Sequence, residues 1–390
     1  VPNKLTKAPW SELFFDLAMI GAFLSFGSDF SKEKTLGAGI ELAFKLLLIV
    51  WAWEQVTLFV NRFGDPFAAE ATGSRTVTGI RFAGLLVLVA VIVVSVVETG
   101  YDRGFTSTND ELSLAAAAVV VSVALLYELG ARWRPQLKEL AAHRRNAALL
   151  ASVFFIASAP LTLGWSVAAW IAGLAIVLYA TLGPGLGRTL ERFPINREHF
   201  SERLGLFVLI LIGEVFVKNV VTSHSVDQPT TDVLQLGFVA VICWMLWTLY
   251  EHEALAAGLP AGPGGLRSWT VGHYLLALAM IVTSVGLVWY VTPDYTSPPG
   301  DWIAMVAVGG SGLVIATTAL IRLAAGGPGA RAGALRLVAI AAVALVIGLL
   351  AWLATPSDWR VGVGTLAVAL VVLNHWRSGA ARRNAGASAG

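Results

Sequence analysis

The sequence predicts an all-α, polytopic integral membrane protein of twelve transmembrane helices with both termini cytoplasmic, and three observations carry that prediction. Composition is the first: 56% of the 390 residues are hydrophobic and 13% are charged, with a mean hydropathy of +0.72. Soluble domains average about 25% charged residues, so this chain lacks the polar surface to coat a soluble particle. Long apolar runs are the second, at 85–97, 115–126, 204–212 and 334–354 among others; a span takes roughly 20 residues. The third is the distribution of basic residues about the spans those runs define.

Taken in order, helices are expected at 10–28, 38–60, 79–99, 112–132, 146–163, 166–183, 201–222, 233–251, 270–291, 301–322, 334–354 and 361–377. Breaks fall where turn chemistry places them: Gly64-Asp65-Pro66, Gly183-Pro184-Gly185, the Gly- and Pro-rich stretch 258–265, Pro293-Asp294, Ser297 to Gly300 and Gly326 to Gly329. Pro160 and Gly164-Trp165 divide 146–183 into two helices. With the amino terminus inside, 21 of the 27 basic residues are cytoplasmic, including the cluster Arg132, Arg134, Lys138, Arg144 and Arg145. Lys32, Lys34, Arg103 and Arg360 fall outside, and Lys45 and Lys218 within spans. This is the asymmetry of the positive-inside rule. No cleavable signal pattern precedes the first span, so insertion is expected to rely on the first helices.

An internal echo suggests a six-plus-six parallel repeat. Trp10-Ser11-Glu12 opens the first helix and Phe200-Ser201-Glu202 the seventh. Trp51 and Trp53 lie late in helix two, as Trp244 and Trp247 do in helix eight. The expected organisation is a first six-helix half at 1–190, a second at 191–377 and a disordered cytoplasmic tail at 378–390.

Acids inside the spans are the candidate functional groups, because an ionisable residue in a bilayer costs about 2.5 kcal/mol or more and normally faces a partner or a wet cavity. Glu12 and Asp16 stand one turn apart on one face of helix one. Asp16 and Glu54 lie too deep to reach the headgroups, whereas Glu12 also suits a helix amino terminus. Glu202 and Arg203, at a span end, read as snorkelling side chains. Glu214 and Lys218, four apart in helix seven, form either a self-neutralising pair or a charge relay. Glu41 and Lys45 repeat the spacing and read as interfacial. Asn61, Arg62, Arg81 and His273 join the cytoplasmic-side polar set, and Trp51, Trp247 and Tyr250 read as aromatic lining or core. Trp10, Trp165, Trp289, Trp302, Trp359 and Trp376 sit at span ends, as interfacial belts do.

Several chemistries are not supported. Glu251-His252-Glu253 are consecutive and point to different helix faces, so with His273 they do not make a metal site; metal ligands are expected to be none, and no cofactor motif is present. The single cysteine, Cys243, excludes an internal disulfide and reads as packing. A net charge of +2 without a basic, aromatic-interleaved run gives no sign of nucleic-acid binding.

Glu12-Leu13-Phe14-Phe15-Asp16-Leu17, Asn61-Arg62 at the end of a Trp-rich helix, His199-Phe200-Ser201-Glu202-Arg203-Leu204-Gly205-Leu206 running on to Leu211-Ile212-Gly213-Glu214, and Trp244, Trp247 and Tyr250 together resemble the bacterial low temperature requirement protein A family. The resemblance implies a multi-pass protein of the bacterial cell (inner) membrane, in contact with the lipid bilayer. Two active functions then stand open, beside a scaffold or membrane-adaptation role with no turnover. One is proton- or ion-coupled transport of a small molecule through a polar pocket between the halves, with Asp16, Glu12, Glu54 and Glu214 as coupling acids and Arg62 and Lys218 as counter-charges. The other is a membrane-embedded enzyme acting on a lipophilic, isoprenoid- or polyketide-like substrate by acid/base chemistry.

Overall fold

The computed structural model describes residues 10–32, 36–66, 74–97, 110–224, 231–291, 300–327 and 329–354, with Val368, Ala369 and Val372. Apart from those three residues, the helix expected at 361–377 and the tail at 378–390 lie outside the described residues. So do the side chains of Lys32, Lys34, Arg103 and Arg360, and of Trp10, Trp302, Trp359 and Trp376.

Among the described residues every regular element is helical: α1 (Trp10–Lys32), α2 (Leu36–Phe63), α3 (Arg75–Val96), α4 (Asp110–Trp133), α5 (Lys138–Ser158), α6 (Leu163–Leu182), α7 (Leu186–Arg192), α8 (Arg197–His224), α9 (Thr231–Tyr250), α10 (Pro263–Val291), α11 (Gly300–Ala325) and α12 (Ala330–Ala354). A 3-10 turn, Pro135–Leu137, precedes α5, and a π-helical turn, Glu251–Leu255, follows α9. Seven of these helices, α2, α3, α4, α6, α8, α10 and α11, are long and apolar enough to cross a membrane.

Eleven expected helices are present, and their starts show where hydropathy misplaces a boundary. α5 begins at Lys138, α8 at Arg197 and α10 at Pro263, each several residues before its apolar run. A helix continues as long as its backbone bonds do, and charged residues such as Glu139 and Arg144 are adequate helix formers. Proline at the first position of α10 is preorganised for a helical start. The segment 186–192, read as loop, forms α7.

The chain divides into two compact units, 1–210 and 211–390. In the first, α2 touches α1, α3, α4 and α6, and most of its residues, polar ones such as Glu54 and Gln55 included, are buried. Other helices of this unit turn hydrocarbon outward: Phe82, Leu85, Val89 and Ile92 on α3, and Leu150, Val153 and Ile156 on α5, are exposed. An outward apolar face of this kind is what lipid contact requires, and the chain is a multi-pass membrane protein. Lipid leaves helices little hydrophobic reason to associate, so interhelical hydrogen bonds and close packing contribute. Ser158 Oγ donates to Ser113 Oγ (2.8 Å), and Trp170 Nε1 donates to both hydroxyls (3.1 Å each), tying α4, α5 and α6 together.

In the second unit, α10 and α11 pack backbone to backbone through two glycines. A Cβ on Gly286 would stand 2.4 Å from the amide nitrogen of Ala307, and one on Gly310 would stand 2.8 Å from that of Thr283. Met245 and Leu249 of α9, Ile315 and Ala319 of α11, and Leu337 and Ile340 of α12 form a core with Val368 and Val372. Among the Trp residues expected at interfaces, Trp165 is 72% exposed but Trp289 is buried at 3%.

Candidate functional site

The cluster in the first unit is built on two short ladders. Glu12 and Asp16 project from the first turns of α1, and His199 and Arg203, again four residues apart, from the first turns of α8. Both pairs are buried. The guanidinium of Arg203 engages Asp16 in a fork: Nη1 donates to Oδ2 and Nη2 to Oδ1, both at 2.6 Å. Trp53 Nε1, from α2, donates to Oδ1 at 2.9 Å. Arg203 also directs Nη2 at the Glu12 carbonyl oxygen (3.4 Å), with Nε 3.6 Å from Glu12 Oε2. The Trp53 ring rests on Phe207 with centroids 4.4 Å apart.

Arg203 is therefore not a snorkelling side chain. It is 1% exposed and is the counter-charge of Asp16, whereas its neighbour Glu202 is exposed. Removing either member of such a pair leaves a buried, uncompensated charge.

His199 donates to Glu12, and the surrounding network decides which nitrogen does so. Asn61 Oδ1 accepts the Asn196 backbone N–H at 2.8 Å, and Asn61 Nδ2 donates to the Asn196 carbonyl at 2.9 Å, which orients the amide. Nδ2 then faces His199 Nδ1 at 3.1 Å, so Nδ1 carries the lone pair. The ring proton is on Nε2, 2.9 Å from Glu12 Oε2. This is a neutral imidazole aligned by a backbone-anchored amide.

Glu12 differs from Asp16 in one respect. Its Oε1 is buried and has no hydrogen-bond partner among the described residues, and the residue forms part of the wall of a cavity of about 650 Å³. Phe14 and Phe15 of α1, Val56, Phe59 and Val60 of α2, Ile80, Phe82, Gly84, Leu85 and Leu88 of α3 and Leu126 of α4 supply the rest, with Pro66 and Arg81. Phe14, Phe82 and Leu85 are also more than half exposed, so the cavity reaches the outer apolar face. Arg81 donates from Nε to the Pro66 carbonyl at 2.9 Å.

A second polar group lies deeper between α2, α4, α5 and α6. Arg144, placed by sequence in a cytoplasmic loop, is 4% exposed on α5 and donates to Thr181 Oγ1 at 2.6 Å. Gln55 and Trp51 direct their donors at the same hydroxyl at 3.3 and 3.4 Å, and Tyr127 donates to the Gln55 carbonyl at 3.3 Å. Glu54 is buried and interacts electrostatically with Arg62 and Tyr127. Arg62 donates from Nε to the Phe193 carbonyl at 3.2 Å. Glu41 and Lys45, read as interfacial, are both buried. Their 2.5 Å ion pair is joined by a Lys45 bond to the Val97 carbonyl at the end of α3, where a helix favours a cation.

The remaining expected residues belong to the second unit. Glu214, fully buried, accepts from Ser284 at 3.4 Å and lies 3.8 Å from Lys218. His273 donates from Nδ1 to the Trp269 carbonyl at 2.8 Å and accepts the Tyr250 hydroxyl on Nε2 at 3.0 Å. Trp247 lies 6.2 Å from the Tyr250 ring, and Trp244 is exposed. No group of three or more possible metal ligands occurs among the described residues.

These features define a polytopic helical membrane protein with a buried acid–base cluster beside an apolar cavity. The chain belongs to the bacterial low temperature requirement A protein (LtrA) family, which it matches over residues 7–373. It is 23% identical over 297 residues to a protein of Rhizobium meliloti (strain 1021) named uncharacterized protein RA0937, a match covering 73% of this chain and 68% of that one. No solved structure matches it.

Proposed function

We propose that this protein is a proton-coupled transporter of the bacterial inner membrane in which Glu12 carries the coupled proton. One observation supports this reading above the others: Glu12 is buried in a cavity wall with one oxygen held by His199 and the other without a hydrogen-bond partner among the described residues. Asp16 and Arg203 cancel each other, and His199 is neutral, so ionised Glu12 leaves the cluster with one net negative charge. In a low-dielectric site that charge is costly, and a proton or a bound cation relieves it. Such alternatives are what coupling requires. Asp16, satisfied by Arg203 and Trp53, acts as fixed counter-charge instead.

The test is flux. In proteoliposomes loaded with a pH-sensitive dye, hydrophobic amines, carboxylates and neutral compounds are added in turn across an imposed pH gradient. The wild type moves protons with one of these classes, and Glu12→Gln does not. Equal flux in Glu12→Gln would defeat the proposal. Twelve spans, cytoplasmic termini and the six-plus-six repeat belong to the same proposal. Single cysteines introduced on a Cys243→Ala background at Glu202 and Glu111 are expected to label from opposite sides.

A second reading is favoured by the composition of the cavity wall, which is hydrocarbon apart from Glu12 and Arg81. An embedded enzyme acting on a lipophilic substrate would use protonated Glu12 as general acid, with His199 aligning it. Turnover in detergent without any gradient, lost in Glu12→Gln, would select it over transport.

A further inference from the structure

We infer that the cavity between α1, α2 and α3 binds an amphiphile with a protonated amine, seating the ammonium on Glu12 and the hydrocarbon body along α3. This names the substrate class of the transport reading and rests on it for direction, though not for binding. The first ground is the unpartnered Oε1 of Glu12, a buried acceptor that an N–H donor would satisfy with a charge-assisted bond. Charge is the second. The cluster carries one net negative charge when Glu12 is ionised, so it repels a carboxylate and gains nothing electrostatic from an alcohol. The third is the wall: Phe14, Phe15, Phe59 and Phe82 line the space, and aromatic rings attract a cation and its alkyl substituents.

Size and access agree. A volume of about 650 Å³ suits a molecule of drug or short-lipid size, and the exposure of Phe14, Phe82 and Leu85 opens the cavity where hydrocarbon is the solvent. Arg81, the other charged lining residue, already donates to Pro66 and interacts further, so the available polar atom is that of Glu12. An ammonium on hydrocarbon arrives either as a free lipophilic amine or as the headgroup of an aminophospholipid.

The experiment uses the full chain in phosphatidylglycerol nanodiscs and radiolabelled octylamine as probe. Octylamine should bind saturably, and octanol and octanoate should compete about tenfold or more less effectively, the scale of one charge-assisted hydrogen bond. Glu12→Gln should weaken octylamine by a similar factor. Gly84→Leu provides a second, independent variant: Gly84 lines the cavity, and a Cβ there meets nothing within 4 Å, so the added side chain fills the site without disturbing the acid. It too should lose octylamine binding while melting like the wild type.

Octanol competing as well as octylamine, or unchanged octylamine affinity in Gly84→Leu, overturns the inference even if Glu12→Gln does not fold. Phosphatidylethanolamine added to the discs separates the sources: displacement of octylamine assigns the site to the lipid headgroup, and retention assigns it to a free amine. Octylamine binding without proton flux removes the transport reading and keeps this one. Proton-coupled flux of another compound class, with no octylamine binding, does the reverse.

Discussion

Arg203 grips Asp16 through both terminal guanidinium nitrogens, Nη1 and Nη2, at 2.6 Å, across 187 residues of chain. The pair is enclosed by α1, α2 and α8, and its energetic character is that of a buried ion pair. The desolvation of each charge is offset only while the other is present.

Arg203→Leu should therefore destabilise the protein by about 3–5 kcal/mol, read as a lower melting temperature in nanodiscs. The double variant Asp16→Leu with Arg203→Leu should be less destabilised than the sum of the two singles, because neither substitution then strands the charge of the other. Additive losses would show that the two side chains do not depend on each other.

Trp53 and Trp244 are both deep by sequence position, yet the structure gives them different roles. Trp53→Phe keeps a ring against Phe207 but removes the donor to Asp16, a bond to a charged group worth about 1.5–3 kcal/mol. Trp244→Phe, at a position 69% exposed, should stay within about 0.5 kcal/mol of the wild type. Comparison of the two melting curves checks the hydrogen bond.

His199 should be neutral with its proton on Nε2. Nitrogen NMR of histidine-labelled protein, with His199→Gln to assign the signal, should show that tautomer. Asn61→Asp replaces the donor facing Nδ1 by an acceptor and should move the proton to Nδ1 or charge the ring. An unchanged signal in Asn61→Asp would contradict the assigned network.

Gly286→Ala should cost about 1–3 kcal/mol, the usual range for overpacking, because its Cβ overlaps the Ala307 backbone. Gly84→Ala meets open space and should be tolerated. Melting temperatures of the two variants, measured side by side, test the close approach of α10 and α11.

Much of the helical framework is legible in the sequence, since long apolar runs must be helical in a bilayer to satisfy their own backbone. The boundaries of α5 and α8 were less so. Hydropathy marks where a helix is apolar, not where it ends, and the polar first turns carry the residues that matter: Arg144 on α5, and His199 and Arg203 on α8. A cation near the end of a span reads as snorkelling unless its direction is known, and one sequence gives no direction.

The four-residue spacing of Glu12 and Asp16 was enough to place two acids on one helix face, and composition was enough to place that helix in a membrane. The matching spacing of His199 and Arg203 was also present in the chain. What joins the two ladders is the set of side-chain bonds from His199 and Arg203 to Glu12 and Asp16, long-range contacts whose register no local pattern specifies. Those bonds hold Asp16 between Arg203 and Trp53 and leave one Glu12 oxygen buried without a hydrogen-bond partner among the described residues. Local spacing thus selected the pair of acids, and only the tertiary structure gave Asp16 its Arg203 partner and Glu12 its His199 partner.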